Sequence, residues 1–455
     1  MKVRAYVGSA GYTDASISGY VNGLQAERSP GSLLKPFVYG LALDQGKIIP
    51  QSMLSDLPLR LASYRPENFE RNFIGPISAE HALIRSRNIP ALQVFRMLDD
   101  SSLYSLLRAA DLSLEPEDYY GIALVLGGLG ISTEQIAELY GLLGSSGTFT
   151  KLSYLEEQKE RELKERPVKL LSPEAAYLVR DMLSRNPPAL GRFRSRHIPW
   201  KTGTSYGSKD AWAAGIVGRF VVVVWLGDFR GASNPNLVGR DFAGPLFFSA
   251  ADRMMSRGVI PETPMTPGLN LKKIEVCALS GALPGPACTH ERESWFIPGV
   301  SPIEHCTLHQ SVRVDPVSGE RACPGEEGEE RVFEVWPSEM QKLFTRVGLK
   351  RNTPPPYKKS CGLSVSASQK ISILSPEEHL EYYLEEHRPL EISLVASVPG
   401  DADTVTWFAN DEVIVHQQTL QPAHWTARAG TFTVRAVDNL GRSASVRVRV
   451  HSRAS

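Results

Sequence analysis

The sequence predicts an α/β multidomain chain ending in a β-sandwich of the immunoglobulin-like kind, and three observations carry that expectation. Helical and strand signals interleave over roughly the first 260 residues, proline and glycine become frequent after about residue 258, and Ile371 to Val450 alternates apolar and polar residues in strand-like runs. The expected boundaries are residues 1–258 for the α/β domain, 259–368 for a Pro/Gly/Cys-rich connector and 369–455 for the sandwich. A length of 455 residues suits two or three such domains better than one core.

Lys plus Arg and Asp plus Glu number 50 each, so no basic field recommends nucleic acid as a partner and no acidic excess suggests a disordered tail. No apolar run reaches the roughly 18 residues of a membrane span. Met1 is followed at once by Lys2-Val3-Arg4-Ala5-Tyr6-Val7, which reads as a strand, so neither a signal peptide nor a transmembrane helix is expected.

In chain order, Leu34, Phe37, Val38 and Leu41 recur at helical spacing, with Asp44-Gln45-Gly46 as a stop. Ser32 then stands near the helix N-terminus, where Pro36 is tolerated. A second helical stretch, Ser78 to Leu98, is expected to be interrupted by Pro90. Ser132 to Leu143 and Ser172 to Leu183 read as core helices, each opening on a serine suited to capping. The charged run Glu156 to Arg166 reads as a solvated helix face. From Trp200 the period changes: Ala211 to Val217 and Phe220 to Leu226, separated by Gly218-Arg219, predict a hairpin of buried, β-branched strands. Pro261, Pro264, Pro267, Pro284, Pro286 and Pro298 predict a loop-rich connector. In the tail, Leu390 to Val395, Thr404 to Phe408, Thr431 to Val437 and Ser445 to Val450 alternate, with turns such as Asn410-Asp411 and Asp438 to Gly441 between them.

Three short motifs carry the chemistry. Ser32-Leu33-Leu34-Lys35 sets a hydroxyl and an amine one helical turn apart, on one side. A lysine of depressed pKa can take the serine proton, and free N–H groups at the helix start favour an oxyanion. Alone, the motif reads far more readily as a serine cap beside a surface lysine. Ser86-Arg87-Asn88 offers a hydroxyl to relay a proton and a carboxamide to hold a substrate amide. Ser184-Arg185-Asn186 repeats it, but runs into Pro187-Pro188, where a loop is expected. Lys201-Thr202-Gly203-Thr204 supplies a fixed positive charge, a hydroxyl for a substrate carboxylate, a glycine leaving room for a ligand backbone, and the Thr204 N–H as an oxyanion donor beside that of Ser32.

Ser-x-x-Lys, Ser-x-Asn and Lys-Thr-Gly in this order form the signature of penicillin-recognising serine enzymes. Arg28 to Phe37, Tyr64-Arg65-Pro66-Glu67-Asn68-Phe69 and Trp200 to Gly207 resemble class A, bifunctional penicillin-binding proteins. Asp210-Ala211-Trp212, Gly239-Arg240 and the β-rich tail look like the penicillin-binding protein 1C subgroup. The resemblance implies a penicillin-binding transpeptidase (β-lactamase-like) fold with a central antiparallel sheet flanked by helices. It implies that Ser32 is acylated by the D-Ala-D-Ala end of a peptidoglycan stem peptide and passes the acyl group to an amine on a neighbouring stem, with β-lactams as inhibitors. It assigns Lys35 as base, Ser86 as proton relay with Lys201, Asn88 to the donor amide, and Thr202 with Thr204 as carboxylate anchors. No cofactor is implied. The expected place is the periplasmic face of the inner membrane, and the tail is expected to meet a wall glycan or a protein. The family's membrane anchor and glycosyltransferase domain are expected to be absent, with the chain starting at the first transpeptidase strand. A carboxypeptidase, a β-lactamase-type hydrolase and a non-catalytic wall scaffold are the competing functions.

All five cysteines, Cys277, Cys288, Cys306, Cys323 and Cys361, fall in one segment. Cys306-Thr307-Leu308-His309 has ligand-like spacing and, with Cys277 and Cys288, could form a Cys3His zinc site. In an oxidising periplasm, disulfides are the more economical expectation, and an odd count leaves one thiol over.

Overall fold

The structure is a computed structural model. It describes the chain except residues 59–65, 155–166, 190–196, 261–266, 324, 362–370, 377–380, 385–389, 399–401, 403, 411, 419–422 and 453–455. Tyr64, Arg65, Glu156 to Arg166, Pro261, Pro264 and Asp411 therefore lie outside the described residues. Two compact units emerge: Met1–Ser55 with Ile77–Leu283 and His290–Glu304, and Asp56–Pro76 with Pro284–Thr289 and His305–Ser455. Among the described residues no helix is long and apolar enough to cross a membrane.

The first unit holds an antiparallel sheet of three strands, β1 (Trp200–Thr204), β2 (Asp210–Val217) and β3 (Phe220–Gly227), in that order. Val217 pairs with Phe220 across a two-residue turn whose Gly218 has φ +60°, a conformation cheap only for glycine. β2 is buried along its whole length, whereas β3 is half-buried, because among the described strands it pairs with β2 alone. The expectation of two buried strands is corrected for β3. On one face, Trp200, Ala211, Ala213 and Val217 share a cluster with Phe247, Phe248 and Ala251 of the helix Gly244–Met255. Trp200 meets Phe248 edge-on, with ring centroids 4.9 Å apart.

Helix α1 (Lys35–Asp44) follows a 3-10 turn, Gly31–Leu34, and its apolar side chains are buried in the core. The stretch expected as one helix broken at Pro90 is two helices, α2 (Ala79–Ile84) and α3 (Asn88–Met97). The break falls at Arg85–Arg87; Pro90 sits in the first turn of α3, where its missing N–H goes unmissed. Helix α4 (Thr133–Gly144) opens on a capping box, Ser132 with Gln135, and α5 (Pro173–Ser184) on Ser172, whose Oγ accepts the Ala175 N–H at 3.0 Å. Lys2-Val3-Arg4-Ala5-Tyr6-Val7 forms no strand. Lys2 makes one bridge to Ser153, and Val3 donates its N–H to Ser153 O at 2.9 Å. Alternation qualifies a segment for pairing, but a strand also needs a partner edge.

The expected connector contains more regular structure than its prolines suggested. Lys272–Cys277 pairs with Glu291–Phe296, and His309–Val314 pairs with Glu329–Glu334, both antiparallel, before a helix at Ser338–Arg346. In the second unit the tail forms two sheets. One orders Ser372–Ser375, Leu390–Ser397 and Ala423–Ala427; the other orders Glu381–Leu384, Ser443–Ser452, Gly430–Asp438, Thr404–Ala409 and Glu412–Gln418. Ile392 and Leu394 from the first share a core with Trp407, Val434 and Val448 from the second, as in a sandwich.

Candidate active site

The nucleophile segment is held by backbone contacts that leave no room for side chains. Gly31 has φ +53°, and a Cβ there would collide with the backbone of Thr204. A Cβ on Gly127 would strike the backbone of Gly31, and one on Gly203 would strike Pro30 O. Gly203 therefore lets the protein's own turn approach: Pro30 and Leu33 occupy the place where a Cβ would project. Polar anchors complete the clamp. Trp212 Nε1 donates to Ser29 O at 2.9 Å, Tyr140 Oη to Leu33 O at 3.2 Å, and Ser29 Oγ to Gly127 O at 2.7 Å. Sequence reading missed the roles of Gly31, Gly127 and Tyr140, because each acts through tertiary proximity that no local pattern records.

The register of β1 with β2 orients the N–H of Thr204. Ser205 N–H bonds Asp210 O at 3.0 Å, so the next pair along the ladder, Thr204 with Ala211, is of the non-bonded kind. The N–H groups of Thr204 and Thr202 thus point off the free side of β1, the side on which Gly31 abuts Thr204. Thr204 Oγ1 accepts the Gly239 N–H at 3.0 Å, which leaves its own proton free to be donated. A Cβ on Gly239 would collide with Gly203 O, which explains a glycine there.

Between the strand and α1 lie the two lysines. Lys35 is 0% exposed, and its Nζ donates to Ser86 O at 2.7 Å, Arg87 O at 3.3 Å and Asn88 Oδ1 at 2.6 Å. Lys201 is also 0% exposed; its Nζ donates to Ser86 Oγ at 2.7 Å and to Thr202 O at 2.8 Å. Burial, and secondarily the Arg240 cation, lower the Lys201 pKa to about 7. The fixed positive charge expected of Lys201 is corrected: near neutral pH this amine stands between its charged and neutral forms.

Ser86 joins the two lysines, offering its carbonyl to one and its hydroxyl to the other. It terminates α2 in a left-handed conformation, φ +58°. Ser86 N–H bonds Leu83 O at 3.1 Å and Arg87 N–H bonds Ala82 O at 3.0 Å, the Schellman pattern whose turning residue is usually glycine. The other Ser-x-Asn copy serves the fold. Asn186 Nδ2 donates to Trp200 O at 3.0 Å and Trp200 Nε1 returns a bond to Asn186 O at 3.2 Å, fixing the residue before Lys201. Elsewhere, Cys288, Cys306 and His309 meet in the second unit, and Cys323 is disulfide-bonded to Cys361.

Known proteins share this arrangement of sequence and fold. The model of the penicillin binding protein transpeptidase domain matches residues 2–226; that of the penicillin-binding protein 1A C-terminal domain matches 269–311; and that of the penicillin-binding protein C-terminus family matches 362–450. The chain is 31% identical to penicillin-binding protein 1C of Escherichia coli K12 over 467 aligned residues, covering 98% of this chain and 59% of that one. It is 27% identical to penicillin-binding protein 1A of Rickettsia bellii over 275 residues, 52% of this chain and 34% of the relative. The chain thus spans less than two thirds of either. A crystal structure of penicillin-binding protein 1A from Haemophilus influenzae shares the fold with a TM-score of 0.53 at 19% identity, over 63% of this chain and 50% of that one. With the transpeptidase model over the serine and lysine motifs and C-terminal models of penicillin-binding proteins over residues 269–311 and 362–450, the chain is a class A-like penicillin-binding protein.

Proposed function

We propose that this chain is a serine D-Ala-D-Ala transpeptidase that crosslinks peptidoglycan stem peptides through an acyl-enzyme on Ser32, and that β-lactams acylate the same serine. The observation that carries the reading is the meeting of both buried lysines on one serine, Ser86, beside a nucleophile turn locked onto the Lys201–Thr204 strand. In this mechanism Ser32 Oγ attacks the carbonyl carbon of the penultimate D-Ala and its proton passes to the neutral amine of Lys35. The N–H groups of Ser32 and Thr204 hold the oxyanion. The C–N bond breaks, and the departing D-Ala amine receives a proton through Ser86 from Lys201. An acceptor amine on a second stem then attacks the ester, loses a proton by the reverse route and frees Ser32. Asn88, whose Oδ1 accepts from Lys35, is assigned to orient the donor amide, and the Thr202 and Thr204 hydroxyls to bind the terminal carboxylate.

The same proposal divides the chain into a transpeptidase domain over 1–258, a connector over 259–368 and a sandwich over 369–455. It places the reaction at the periplasmic face of the inner membrane, with the sandwich meeting wall glycan or a protein partner. Fluorescent penicillin added to the purified chain is expected to leave one adduct, mapped by mass to the tryptic peptide containing Ser32 and absent from Ser32→Ala. A folded wild-type chain that gains no adduct, or one that keeps its adduct when Ser32 is replaced, would sink the proposal. Slow loss of the adduct in water, and faster loss on adding an amine acceptor, separates transfer from hydrolysis.

A further inference from the structure

Three metal-ligating side chains outside the active site converge in the second unit. Cys288 is fixed by a tight turn: its N–H bonds Gly285 O at 3.0 Å, and its Sγ accepts the Gly285 N–H at 3.3 Å. Cys306 and His309 lie three residues apart, and His309 opens a paired strand that holds its ring in place. His309 Nδ1 stands 3.6 Å from Cys288 Sγ and 3.6 Å from Cys306 Sγ. Neither cysteine is in a disulfide.

An imidazole nitrogen carries either one proton or one lone pair, so it cannot bond both sulfurs at full strength. A cation between the three atoms satisfies all of them. Tetrahedral zinc, with bonds of about 2.3 Å to sulfur and 2.0–2.1 Å to nitrogen, has a sulfur-to-nitrogen edge of about 3.6 Å, which matches both separations. The N–H donated to Cys288 Sγ also stabilises a thiolate.

We propose that Cys288, Cys306 and His309 bind a zinc ion as two thiolates and a neutral imidazole through Nδ1. The ion ties the turn that carries Cys288 to the Cys306–His309 segment within the second unit. Binding displaces one proton from each thiol and leaves every sulfur in its reduced state. The reading is independent of the proposed function.

The test uses the full chain without a metal-binding tag. Elemental analysis is expected to find about one zinc per chain after dialysis, and exchange with cobalt to give the intense visible bands of a tetrahedral thiolate site. Cys288→Ser, Cys306→Ser and His309→Ala should each lower retained zinc at least tenfold. Circular dichroism and calorimetry report whether each variant is folded. A wild-type chain that holds no zinc and gives no cobalt bands overturns the site, as does a mapped Cys288–Cys306 disulfide or zinc that survives all the substitutions.

Discussion

Lys201 shows what burial does to a single side chain. Its Nζ has two hydrogen-bond acceptors, Ser86 Oγ and Thr202 O, and the carboxylate that would hold its charge is not among them. Desolvation therefore lowers its pKa from 10.5 to about 7. The sign for stability follows from proton counting. Below about pH 7 the amine is charged in both folded and unfolded chains, and the cost of burying the charge is present in full. Between about 7 and 10.5 the folded chain binds fewer protons than the unfolded one, so this group's contribution to stability rises with pH. Lys201→Met removes the titration. The melting temperature of the wild type relative to Lys201→Met is expected to be flat below pH 6 and to climb from pH 7 to 9.5. A flat difference across the range, or one that falls, would show that the folded chain keeps the lysine charged. The sequence supplied the residue and its motif; the depressed pKa depends on burial at 0% exposure and on Arg240, which neither spacing nor composition reveals.

At the scale of elements, the junction between α2 and α3 carries the constraint. A Schellman cap favours glycine at its left-handed position, and a residue bearing a Cβ there costs about 1 kcal/mol. Ser86 occupies it because its hydroxyl meets Lys201. Two substitutions separate backbone from chemistry, since both Ser86→Ala and Ser86→Gly lose the hydroxyl and only the second relieves the backbone. Ser86→Gly is expected to be more stable than Ser86→Ala by about 1 kcal/mol in urea denaturation. Penicillin acylation is expected to fall by about 10²-fold or more in both, the scale of a lost proton relay. Equal stabilities would refute the strain argument, and undiminished acylation would refute the relay. Serine caps made α4 and α5 legible in the sequence, since Ser132 and Ser172 advertise helix starts within one turn. The α2–α3 break was not legible, because Pro90 is the louder signal and sits harmlessly in a first turn. Gly203 was legible as a glycine that something approaches, but the approaching group is Pro30, distant in sequence.

Over the whole molecule, period-two alternation made the tail sandwich readable, whereas the paired strands of the connector were hidden by prolines in the loops between them. The three motif segments, Ser32 to Lys35, Ser86 to Asn88 and Lys201 to Thr204, all fall in the first unit, and the sandwich core belongs to the second. Damage to that core should therefore leave acylation intact. Trp407 offers the strongest test: it is 0% exposed, sits on the strand Thr404–Ala409, which is paired on both sides, and lies opposite Ala436 and Val415 in its two neighbours. Its truncation opens a cavity that the paired strands on both sides cannot close, and Trp407→Ala is expected to cost the sandwich about 3–5 kcal/mol. A single melting temperature is poorly defined for a chain of two units. Calorimetry should instead show one transition moving down, and the rate of penicillin acylation at Ser32, measured below that transition, should stay within about twofold of wild type. A Trp407→Ala chain whose acylation collapses while its first unit remains folded would show that the catalytic unit depends on the sandwich, and the division of labour drawn from the motifs would have to be abandoned.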